Sequence, residues 1–160
     1  MSNQNFITPR GLAKLHAQLR VLREIERPRN VRDIEEARAH GDLKENAEYH
    51  AAKERQSHIA GQLQALESQI ASAHIIDPAA LSGERVVFGA TVVVADLDHP
   101  DTEKLTYQIV GDLESDLSAG LISLSSPLAR ALMGKELGDE VAVVTPRGRR
   151  NFLIQTVEFK

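Results

Sequence analysis

The stretch HGDLKENAEYH, residues 40–50, sets a helix-breaking glycine, Gly41, directly before three carboxylates at steps of three, Asp42, Glu45 and Glu48. Glycine readily takes the backbone conformation that ends a helix. Arg38 and His40 precede it, where a helix C-terminus favours basic side chains. Upstream, Leu12, Leu15, Leu19, Leu22 and Ile25 recur at steps of three and four, the apolar seam of a coiled-coil-like helix. Thr8-Pro9 opens that helix, with Thr8 as N-cap and Pro9 at the first helical position. Pro28 is expected to bend it, the rhythm resuming at Val31 and Ile34. Downstream, Ile59, Leu63, Leu66, Ile70 and Ala73 form a second seam, on a helix expected to start near Asp42. Pairing Leu12 with Ile70, Leu15 with Leu66, Leu19 with Leu63 and Leu22 with Ile59 centres every pair within half a residue of position 41. An antiparallel hairpin demands such a constant centre. Seams and glycine therefore agree on one turn.

The stretch from Leu12 to Gly41 predicts an arm about 44 Å long at ~1.5 Å per residue. Two helices bury little, so most of the arm is expected to face solvent. Near the turn leucine gives way to Ala37, Ala39, Ala47, Ala51 and Ala52, which predicts a slender end. After HIIDPAALSGERVVFG, residues 74–89, the pattern changes, and Pro78, Gly83 and Gly89 mark a linker. Short β-branched runs follow at 91–94, 107–110, 121–124, 141–144 and 152–157, separated by turn sequences such as DHPD and PRGRR. One short helix interrupts them. Ser125-Ser126-Pro127 provides a cap and a first-turn proline, LARALM forms the helix and Gly134 ends it. The predicted class is α+β, with a two-helix antiparallel coiled coil over 1–78 and a small, mainly antiparallel β domain with one short helix over 79–160.

Composition narrows the function. There is no cysteine among the 160 residues, which excludes disulfides and thiolate metal sites. No run of about 18 apolar residues occurs, so no membrane span is expected. The opening MSNQNFITPRG lacks the basic-then-apolar order of a secretory signal, and a cytoplasmic protein is expected. Four Phe, two Tyr and no Trp are few rings for stacking bases. A net charge of −4 argues against autonomous, tight nucleic-acid binding. The charge is uneven, with 11 Lys/Arg against 9 Asp/Glu from Arg10 to Arg55 and 8 against 14 from Glu67 onward. This asymmetry fits two modules with different partners.

Two roles fit the carboxylates at the turn. Asp42 with Glu45 three residues on matches a capping box, and Glu48 adds favourable charge at a helix start. The same Asp42 and Glu45 also suit Mg²⁺, a hard cation that keeps several waters and commonly takes one or two protein carboxylates. Two carboxylates do not make a tight site alone, but they can complete one whose other ligands belong to another molecule. Flanking Arg38, Lys44, Lys53 and Arg55 can meet phosphates or remain a solvated face.

EARAHGDLKENAEYHAAKE, followed by FGATVVV, LISLSSPLARALMGKELGDEV and TPRG, resembles the bacterial Gre transcript cleavage factors, of the GreA subtype, over nearly the whole chain. The resemblance implies an arm inserted through the secondary channel of RNA polymerase and an FKBP-like domain docked at the channel's rim. It implies an elongation factor that stimulates the polymerase's own cleavage of the 3′ RNA in backtracked complexes. It assigns the catalytic acids to Asp42 and Glu45, with Asn46, Glu48 and Tyr49 in the same motif. It assigns the basic patch that meets nucleic acid to Arg38 and Lys53, and the polymerase-docking turn to Ser125, Ser126 and Pro127. That turn reads Ser-Ser-Pro here and Asp-Ser-Pro in some relatives. The expected partners are RNA polymerase and the nascent RNA 3′ end, with a monomer bound and no membrane. The expected cofactor is Mg²⁺, shared with the polymerase active site and not held stably by the free protein. The protein then donates ligands and is not a stand-alone enzyme.

Other chemistries find little support. His16, His40, His50, His58, His74 and His99 offer no zinc-ligand spacing, and they read as surface or packing residues. No G-x-S-x-G or phosphate-binding glycine loop occurs. An FKBP-like fold raises prolyl isomerase activity, but Phe88, Tyr107, Phe152 and Phe159 are few rings for such a pocket and are needed in the core. Two alternatives stay open, a channel-binding regulator that does not stimulate cleavage and an unrelated coiled-coil adaptor.

Overall fold

The computed structural model describes residues 5–41 and 46–160. Leu12–Ser72 form one compact unit, and the chain through Gly11 joins Ala73–Lys160 in the other. The sequence pattern predicts a boundary at 78/79 with the first residues in the arm, whereas the compact units divide at Gly11/Leu12 and Ser72/Ala73. The difference arises from a two-stranded parallel sheet, β1 (Asn5–Ile7) with β2 (Ala73–Ile75), in which Ile7 lies opposite Ile75. Three-residue strands leave no readable period, and the spacing of Ala73 continues the helical seam.

Helix α1 (Pro9–Val21) starts as expected, with Gly11 N–H donating to the Thr8 hydroxyl at 3.1 Å. A π-helical turn, Leu22–Glu26, then leads into α2 (Arg27–Ala39). This wide turn stands directly before Pro28, whose ring lacks a donor and crowds the carbonyl four residues back. One extra residue per turn advances the helix phase by about 100°. The seam therefore departs from the expected one. Ile25 and Val31 are rotated out, 49% and 44% exposed, while Asn30 is rotated in at 2%. The buried line runs Leu15, Leu22, Asn30, Ile34 and Ala37.

Helix α3 (Ala47–Ala71) returns antiparallel to α2, burying Ile59 and Leu63 against Leu22, with Leu19 and Leu66 packed beside them. Across the hairpin, Asn30 Nδ2 donates to the Ala52 carbonyl at 2.9 Å, and Arg55 pairs with Glu26 at 3.4 Å. Both pairs are centred within half a residue of position 41, so the fold-back point read from the seams holds. Of the five alanines expected to line the slender end, Ala37 is buried and Ala52 half-buried; Ala39, Ala47 and Ala51 are exposed.

In the second unit, five strands form one sheet: β3 (Thr91–Asp96), β4 (Leu105–Val110), β5 (Leu121–Ser123), β6 (Glu140–Thr145) and β7 (Gly148–Glu158). Their order is β5-β4-β3-β7-β6, antiparallel throughout except for the parallel β4–β5 pair. Strict alternation along β3 sends Val92 and Val94 inward. Helix α4 (Pro127–Leu132) covers this core with Ala129 and Leu132, both fully buried. Every expected strand and the short helix are present, and the α+β class stands.

Gly111 follows β4 at a place where backbones nearly touch. A side chain there would collide with the Phe6 carbonyl of β1. No described helix is long and apolar enough to cross a membrane.

Candidate functional site

The hairpin end is built from its two flanks. Gly41 closes α2 with φ of +106°, a conformation that side chains disfavour. His40 N–H reaches back to the Ala37 carbonyl at 3.2 Å, and Gly41 N–H to that of Arg38 at 3.4 Å. On the other flank Asn46 is the N-cap of α3. Its Oδ1 accepts from Tyr49 N–H at 3.1 Å, and its Nδ2 donates to the Ala37 carbonyl at 2.6 Å. One side chain thus caps α3 and ties it to the last turn of α2. Asp42 and Glu45, the candidate acids, lie outside the described residues, as does Lys44. The helix expected to start near Asp42 starts at Ala47 with Asn46 as its cap. Sequence reasoning noticed Asn46 only as part of the family motif, although Asn is among the best N-cap residues.

The other tip residues are exposed or half-buried. The Arg38 guanidinium stands 5.9 Å from the centre of the Tyr49 ring, a cation–π approach that braces both across the hairpin. Lys53 is exposed and donates to Gln56 Oε1 at 2.8 Å. Glu48 is exposed in the first turn of α3. It helps line a groove with Asp33, Glu36, His40 and Arg55 over a floor of Ala37, Ala51 and Ala52. Among the described residues no three His, Asp or Glu side chains converge as a metal site. Carboxylates at Asp42 and Glu45 are chemically suited to Mg²⁺ as a partial ligand set.

The expected docking turn lies wholly within the second unit. Ser126 caps α4, its hydroxyl accepting from Ala129 N–H at 3.2 Å, and Pro127 takes the first helical position. Ser126 N–H bonds the Ser123 carbonyl at 2.9 Å, which closes the turn. Ser125 and Pro127 are exposed. Sequence reasoning missed the neighbour that completes this turn. Asp112 Oδ1 accepts from the Ser123 hydroxyl and, at 2.9 Å, from the Ser125 hydroxyl. The Ser123 hydroxyl above all, with Ser125 beside it and Arg130 more weakly, holds the Asp112 carboxyl below the usual aspartate range. The parallel β4–β5 pairing, with Val110 opposite Ser123, brings it there.

Two family profiles cover the chain, "Transcription elongation factor, N-terminal" over residues 5–75 and "Transcription elongation factor, GreA/GreB, C-term" over residues 81–159. Transcription elongation factor GreA of Anaeromyxobacter sp. (strain K) is 54% identical over 153 residues, covering 96% of this chain and 91% of that protein. The protein of the same name from Mesorhizobium japonicum (strain LMG 29417 / CECT 9101 / MAFF 303099) is also 54% identical over 153 residues, covering 96% of each. The crystal structure of the GreA factor homolog 1 (Gfh1) protein of Thermus thermophilus aligns with 98% of this chain and 99% of that one, at 26% identity and a TM-score of 0.43.

Proposed function

The chain belongs to the GreA/GreB family of transcription elongation factors, and from that premise we propose that it stimulates RNA polymerase to cleave its own transcript. In this reading the factor binds backtracked, arrested complexes, and the helical hairpin enters the polymerase's secondary channel. Asp42 and Glu45 meet the catalytic centre, where the nascent RNA 3′ end lies. The factor is accessory and owns no complete active site.

Asp42 and Glu45 would hold a Mg²⁺ ion jointly with polymerase ligands and nascent RNA. When bound there, Mg²⁺ supplies acidification and orientation of a water for in-line attack on a phosphodiester. This chain's own contribution is to carry two anionic groups between fixed helix ends and to meet phosphates with Arg38 and Lys53. Ser125, Ser126 and Pro127 would dock on the polymerase, one copy of the factor per enzyme.

The observation that carries the reading is Asn46. Because Asn46 caps α3, the start of that helix has its cap without Asp42. This supports a role for the acid pair beyond capping that helix.

Asp42→Asn tests this on a stalled, backtracked complex. Melting temperature and polymerase binding should stay near wild type while stimulated RNA cleavage falls at least about tenfold. Full cleavage by this variant would refute the metal-binding role of Asp42. A factor that occupies the channel without stimulating cleavage would instead lower polymerase activity and yield no short RNA fragments.

A further inference from the structure

The turn Ser125-Ser126-Pro127 carries no charged side chain of its own. Its charge comes from Asp112, thirteen residues before Ser125 in sequence. Both serine bonds fall on the same carboxylate oxygen, Oδ1. A hydroxyl has one proton and two lone pairs. Ser123 and Ser125 also approach each other at 2.9 Å between hydroxyl oxygens, so the Ser125 proton is spent on Asp112 or Ser123 and the exposed Ser125 oxygen keeps a lone pair for solvent. Asp112 is exposed too, and its Oδ2 receives neither hydroxyl. The anchoring hydroxyls, that of Ser123 first, also hold the carboxyl below the usual aspartate range. Ser125 N–H donates to Ser123 Oγ at 3.2 Å, which locks the serine ladder from behind.

The outcome is a small surface that offers acceptors and negative charge, with its hydroxyl donors facing inward. Such a surface suits a donor-only cation. Two acceptors side by side match the fork of a guanidinium, and a lysine ammonium can use either one. We propose that Asp112 and Ser125 together form a recognition patch for an arginine or lysine side chain on RNA polymerase. The inference rests on the reading of residues 125–127 as the docking turn and adds to it the residue that sets partner chemistry. Arg130, exposed on α4, lends the carboxylate a weaker attraction, leaving it open to a stronger cationic partner.

The test is equilibrium binding of the fluorescently labelled full-length protein to purified core RNA polymerase across a salt series. Asp112→Asn keeps an oxygen for both serines, removes the charge and turns the outward acceptor Oδ2 into an amide donor. It should weaken binding about tenfold and flatten the dependence of affinity on salt, while the melting temperature falls only slightly and the folded far-ultraviolet signal is kept. Adding Ser125→Asp to Asp112→Asn should restore affinity and salt dependence, because the charge returns to the same patch. Pro127→Arg separates the two readings by obstructing the turn. If Pro127→Arg abolishes binding while Asp112→Asn binds like wild type, the patch is refuted and the docking turn stands. If Pro127→Arg also binds like wild type, the docking turn itself is refuted. Weaker binding by Asp112→Asn with an unchanged salt dependence and no recovery with Ser125→Asp would overturn the charge role.

Discussion

Glu114 is 7% exposed, and its carboxylate serves both Gly111, three residues before it, and Thr8, 106 positions away. Its Oε2 accepts from Thr8 N–H at 2.8 Å and Gly111 N–H at 3.1 Å, and its Oε1 accepts from the Thr8 hydroxyl at 2.5 Å. A buried acceptor shared by three donors is costly to remove, since each orphaned donor keeps its desolvation penalty. Glu114→Ala should cost about 2–4 kcal/mol in urea unfolding, and Glu114→Gln, which keeps an oxygen, should cost less. Asp96 behaves similarly at the end of β3. Its side chain is 4% exposed and accepts from Arg150 at 2.9 Å, Asp98 N–H at 2.9 Å and the His99 backbone and ring. Arg150, first among these, holds its carboxyl below the ordinary aspartate range against the opposing effect of burial. A depressed folded value means that this contribution is present above roughly pH 4, where an unfolded aspartate is ionised, and is lost as pH falls through the folded value. Melting temperature followed from pH 6 to 2 should therefore drop less steeply in Asp96→Asn than in wild type, from a lower starting point.

At the scale of the element, the helical hairpin was largely legible because a seam and a cap depend on residues three or four apart. Thr8, Pro9, Gly41, Ser126 and Pro127 all serve as their residue types foretold. The failures were failures of phase. The π turn at Leu22–Glu26 shifted the seam from Ile25 and Val31 to Asn30, and no propensity rule places a π turn in advance. The start of α3 moved from Asp42 to Ala47 because two acceptable caps stood four residues apart, and Asn46 also gains a bond to the opposite helix. Asn46→Ala loses both the cap and that bond and should cost about 1–2 kcal/mol. Asn46→Asp retains the cap acceptor and should fall between Ala and wild type. Chemical denaturation followed by the helical far-ultraviolet signal ranks the three proteins, and equal stabilities would deny Asn46 its bridging role.

At the scale of the whole molecule, the second unit draws on both ends of the sequence. Ile7 is fully buried, and Thr8 hydrogen-bonds Glu114. A fragment of residues 79–160, cut at the boundary read from the sequence, discards β1, β2 and both partners. A fragment with residues 5–11 joined by a flexible linker to 73–160 retains them. The second should be more stable by roughly 3 kcal/mol, from Ile7 burial and the Glu114 bonds, and calorimetry of the two fragments compares them directly. The amino-acid sequence by itself determined the hairpin, its turn at Gly41, the five strands and the helix at Pro127, because those features depend on near neighbours and side-chain period. Tertiary structure alone decided that Thr8 meets Glu114 across 106 positions and that Asp112 meets Ser125. Such pairs arise from strand pairing, which joins residues distant in the chain, and no local pattern of residue types records them.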